Sequence, residues 1–102
     1  MLPKGGASYL AKRMSEKAYT VDDFIKRVRS HPAFQTGAWV RRTDDLEAVL
    51  RALFVSDDEC AIEISDKIRD VIERKHVSVE KRIVLIQQIL RAGRIHVFGN
   101  VA

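Results

Sequence analysis

Ser78-Val79-Glu80-Lys81-Arg82-Ile83-Val84-Leu85-Ile86-Gln87-Gln88-Ile89-Leu90-Arg91-Ala92-Gly93, residues 78–93, decides the fold class of this chain. Val79, Ile83, Ile86 and Leu90 recur at helical spacing and centre one face. Ser78 is an N-cap residue, and Gly93 is the expected left-handed stop. The stretch therefore reads as a helix through Ala92. Its apolar surface is wide: Leu85 and Ile89 broaden the stripe on one side, and Val84 sits away from it. Polar cover falls to Glu80, Lys81, Gln87, Gln88 and Arg91, with Arg82 at the edge. A helix this apolar is either central in its fold or shared with a second molecule. Leaving a large aliphatic side chain in water forgoes roughly 1.5–3 kcal/mol of burial. Self-association through Val84, Leu85 and Ile89, as a twofold homodimer, is the expectation.

Upstream, the pattern repeats. Ser56-Asp57-Asp58-Glu59 is a start signal, and the helix it opens should run to about Lys75 with Cys60, Ala61, Ile64, Ile68, Val71 and Ile72 inward. Val77-Ser78 then forms a tight joint. Before that pair, Thr43 followed by Asp44, Asp45 and Glu47 predicts a helix whose inner face is Leu46, Val49, Leu50, Leu53 and Phe54. An earlier helix should open at Thr20, bury Val21, Phe24, Ile25 and Val28, and end before Pro32. Residues 7–17 suggest a further short helix, and residues 1–6, with Pro3 and Gly5-Gly6, a flexible tail. Residues 38–41 and 94–98 carry strand-forming side chains and could pair as a two-stranded β patch, which alone is marginal in water. The reading is a mainly α chain: four to five short helices in one small domain over residues 7–102, with that patch as an addition.

The run from Ile64 to Leu90, a helical hairpin with a Val-Ser joint, resembles in outline small bacterial regulators of biofilm formation and acid resistance. The likeness is one of outline, and no site residue is transferred from it.

The chain has 102 residues, 46% of them apolar and 31% charged, which fits one globular domain. Its single cysteine, Cys60, cannot close an internal disulfide, and a reducing, cytoplasmic setting follows as the default. No apolar run approaches the roughly 18 residues of a membrane helix. No secretory leader is read at the N-terminus. The net charge of +4 is unevenly laid out. Residues 1–42 hold nine Lys/Arg against three Asp/Glu, residues 43–65 one against seven, and residues 66–102 eight against four. That order suits internal charge complementarity, or a basic face for an acidic partner.

Chemistry finds little foothold. Gly5-Gly6 lacks phosphate-loop spacing. His31, His76 and His96 are scattered, so no metal or other cofactor is expected. Cys60 follows three acids, whose field opposes a thiolate, and its place on the apolar face predicts a buried packing thiol. Asp44-Asp45 and Asp57-Asp58-Glu59 read as helix first turns rather than catalytic carboxylates. Neither an enzyme nor a small-molecule substrate is expected. A helix-turn-helix built from residues 60–75 and 78–92 would offer isoleucine, leucine and valine where base edges need polar side chains. What remains is a non-enzymatic regulatory or adaptor protein acting through protein contacts. The alternative is a nucleic-acid-binding regulator whose basic N-terminal face gathers Lys12, Arg13, Lys26, Arg27, Arg41 and Arg42 around Trp39.

Overall fold

A computed structural model describes residues 20–95, and these form four α-helices and one short 3-10 turn. Helix α1 occupies residues 20–30; α2 is Gly37–Val55, α3 is Glu59–Glu73 and α4 is Val79–Ala92. The expected tail at residues 1–6, the helix at 7–17, and Lys12, Arg13 and His96 lie outside the described residues.

The local signals behave as short-range chemistry should where a side chain bonds the backbone three residues on. Asp58 accepts from the Ala61 amide (3.1 Å) and starts α3. Ser78 accepts from the Lys81 amide (3.1 Å) and starts α4. Pro32 ends α1 and opens the 3-10 turn Pro32–Phe34, where His31 Nδ1 accepts from the Ala33 amide. Thr20, expected as the cap of α1, is itself helical.

Three expectations need correction. Among the described residues there is no strand: residues 38–41 are the first turns of α2, and Arg94-Ile95 is the closure of α4, so the β patch of 38–41 with 94–98 does not form there. Helix α2 starts two turns early because Thr36, not Thr43, is its cap, accepting from the Trp39 amide at 3.3 Å. Thr43 is buried within α2, its hydroxyl donating to the Trp39 carbonyl at 2.7 Å. The stop of α4 also differs. Gly93 has φ −84°, and the left-handed residue is Arg94, at φ 62°. The Ile95 amide donates to Leu90 (2.8 Å) and the Arg94 amide to Arg91 (2.9 Å), a Schellman closure. Gly93 serves a different need, since a Cβ there would lie 2.7 Å from Ile64 Cδ1.

The helices share one core. Phe24 and Ile25 from α1, Leu46 and Leu50 from α2, Ile68 from α3, and Ile86 and Leu90 from α4 are all buried. The residues meeting across each seam set its direction. Asp22 and Arg29 reach Arg51 and Asp44 respectively, so α1 and α2 run antiparallel. Arg82 reaches the Ile72 carbonyl and Gly93 lies against Ile64, so α3 and α4 do the same.

Candidate functional site

Helices α3 and α4 bury Ile68, Ile72, Ile83 and Ile86 beneath them, and their outer flanks leave an open groove of about 650 Å³. Ile64 and Val71 of α3 and Leu85 and Ile89 of α4 form its apolar lining. Leu85 and Ile89 are half-buried, as expected for a flank that the main stripe does not use. Val84 is not with them. It does not line the groove and is 49% exposed, one helical turn from Glu80 and from Gln88 on the outer side of α4. The residues proposed from sequence for self-association thus fall into a pair and a single.

The rim on the α3 side is charged, with Glu63, Lys67, Asp70 and Arg74 in that order. Among the described residues each pairs only along its own helix: Lys67 with Glu63 at 3.6 Å, and Arg74 with Asp70 at 2.5 Å. These are surface pairs with little net effect on stability. Nothing in the sequence reading singled them out, although their four-three-four spacing with alternating sign was there to be seen.

Cys60 stands at one end of the groove and is exposed, against the expectation of a buried thiol. The burial centre of α3 passes through Ser65, Ile68 and Ile72, so a residue in its first turn on the Ile64 flank lies beyond the core.

The basic candidates are distributed as follows. Lys26 and Arg27 are exposed on α1, and Arg27 pairs with Asp23 at 3.0 Å. Arg41 is exposed on α2, while Arg42 lies over the Trp39 ring at 5.2 Å. Trp39 is half-buried and packs on Phe34, whose ring centroid is 4.6 Å away; Phe34 in turn packs on His31 at 5.2 Å. His31 Nε2 lies 3.4 Å from Glu80, an ion pair whenever the imidazole is protonated. Trp39 therefore anchors the α1–α2 corner as well as meeting solvent.

Two further arginines, outside that candidate set, bridge α1 and α2. Arg29 bonds Asp44 (2.7 Å) and Glu47 (2.8 Å), and Arg51 bonds Glu47 and Asp22. Arg51 and then Arg29 hold the Glu47 carboxyl below its ordinary range. Asp44, followed by Glu47, raises the guanidinium pKa of Arg29.

Arg82, placed by its sequence position at the stripe edge, is buried at 5% exposure. Its Nη1 donates to the Ile72 carbonyl at 2.8 Å, near the C-terminus of α3, and its guanidinium lies 5.6 Å from the centre of the Phe24 ring. Burial, then repulsion from Arg27, lowers its pKa, and Asp23 opposes them. Its Nε has no hydrogen-bond partner among the described residues.

Among the described residues no three His, Cys, Asp or Glu side chains gather as a metal-holding group, and no helix is long and apolar enough to cross a membrane. Compared with known proteins, the chain matches no family model, no curated protein and no solved structure.

Proposed function

We propose that this protein is a small non-enzymatic regulatory or adaptor module, cytoplasmic in setting, that works by protein–protein contact as a homodimer and docks through the α3–α4 groove. The observation that carries this reading is the groove itself. Its apolar lining of Ile64, Val71, Leu85 and Ile89 adjoins the core yet remains open, and a charged rim borders it. An apolar centre within a polar rim is the anatomy of a protein interface. Val84 lies outside this surface and, as a lone exposed valine, needs no partner.

The test is Leu85→Glu with Ile89→Lys, followed by sedimentation. A folded monomer replacing a wild-type dimer supports the reading. A wild-type protein that sediments as a monomer at high concentration ends the homodimer.

The alternative is a nucleic-acid-binding regulator with a basic face around Trp39, of which Arg27 is paired with Asp23 while Lys26 and Arg41 are exposed. A steep loss of DNA or RNA affinity between low and moderate salt, abolished by Arg41→Glu with Arg42→Glu, would favour it instead.

A further inference from the structure

We infer that the occupant of the α3–α4 groove is a second copy of this chain, docked antiparallel along α3 so that Lys67 faces the partner's Asp70 and Glu63 faces the partner's Arg74. This rests on the groove being the surface through which the homodimer docks, and it adds the direction and register in which the second copy lies there.

The argument is one of charge order. Along the rim the signs run negative, positive, negative, positive at residues 63, 67, 70 and 74. Read backwards, the same series is positive, negative, positive, negative. A twofold axis perpendicular to α3 therefore sets every charge against its opposite. Both pairings, 63 with 74 and 67 with 70, share one midpoint between residues 68 and 69, so a single axis satisfies all four contacts. A parallel partner in register would set like against like, which disfavours that pairing.

The side chains are available for this. Glu63, Lys67, Asp70 and Arg74 are 70%, 61%, 65% and 48% exposed, and their bonds lie within their own helix. A carboxylate holding one cation in this way still has lone pairs for a second. The α4 wall of the groove contributes no charge, since Leu85, Gln88, Ile89, Ala92 and Gly93 line it. An occupant must then offer charge on one edge and apolar surface on the other. Helix α3, with its charged rim beside Ile64 and Val71, has that pattern. Residues 1–19 carry Lys4, Lys12, Arg13 and Lys17 against Glu16 alone, and residues 96–102 carry no Asp, Glu, Lys or Arg, so neither terminal segment offers the alternating signs that complement the rim.

The experiment is sedimentation equilibrium of the full chain and of Lys67→Glu, Asp70→Lys and the double exchange, with circular dichroism to confirm equal helix content. Each single change sets two like-charge contacts across the axis and should raise the dimer Kd about tenfold or more. The double exchange recreates both contacts with the signs reversed. It should return the Kd to near the wild-type value, even though both same-helix pairs remain broken. Zero-length carbodiimide coupling should link Lys67 to Asp70 between chains in the wild-type dimer. A wild-type dimer whose double variant is no tighter than the singles, or whose cross-link maps elsewhere, overturns the antiparallel register and leaves the dimer reading intact. A wild-type monomer overturns both.

Discussion

Two seams of this molecule carry similar numbers of charges and use them in opposite ways. Between α1 and α2, the charges bond across helices: Arg29 to Asp44 and Glu47, Arg51 to Asp22. On α3, Glu63, Lys67, Asp70 and Arg74 bond only along the helix that carries them. The first arrangement ties residues 15 to 29 positions apart and closes its seam. The second ties residues one turn apart, closes nothing, and borders a groove. The comparison teaches that a charged surface is informative about partners only once its internal pairings are known. By that measure Arg29 of the basic N-terminal third is committed to the α1–α2 seam, whereas the pairs of the α3 rim hold no two helices together.

The contrast can be attacked most severely through the closed side. Phe24→Ala empties a fully buried site and removes the ring beneath Arg82, and should cost about 3–5 kcal/mol in urea unfolding. A cost below about 1 kcal/mol would show that α1 is not part of the shared core. Next in size is Arg82→Ala, which loses the bond to the Ile72 carbonyl and the packing of a buried stem. About 2 kcal/mol is expected, read from the same unfolding curves.

Glu47→Gln tests the cross-helix pairing itself. Glu47 is part-exposed, so solvent screening limits the cost to about 1 kcal/mol at neutral pH. The sign of its pH dependence is fixed. The folded carboxyl is held below its unfolded value, so its contribution is full above the unfolded pKa and is lost as pH falls through the folded one. Wild-type stability should fall more steeply than that of Glu47→Gln on acidification below the ordinary carboxylate range. Parallel curves would show that the pairing does not couple to folding.

The smallest effects belong to the open side. Lys67→Ala and Cys60→Ser should each change monomer stability by less than about 0.5 kcal/mol. Cys60 of the dilute native protein should react readily with a thiol reagent. Strong protection at dilution would mean that this end of the groove is covered within the monomer.

What could be read in the sequence follows the range of the interactions concerned. Ser78, Asp58 and Pro32 act on backbone within three or four residues, and their helix boundaries followed directly. Thr43-Asp44-Asp45 has the same form as a cap, but Asp44 there serves Arg29, a partner fifteen positions away, and the true cap is Thr36. No local pattern distinguishes those cases. The same limit explains Cys60, whose position on the helical wheel is correct for the Ile64 flank but whose burial depends on how far the core extends toward the start of α3.

By itself, then, the sequence determined that this protein is helical, where α3 and α4 begin, and that Leu85 and Ile89 lie beside the main stripe of α4, because caps and helical periodicity are properties of a single turn. Only the tertiary structure decided that Arg82 is buried against Phe24, that Cys60 is exposed, and that α3 presents a charged rim to the groove. Those features depend on which helices meet and at what register, and the packing that sets both joins residues distant in the chain.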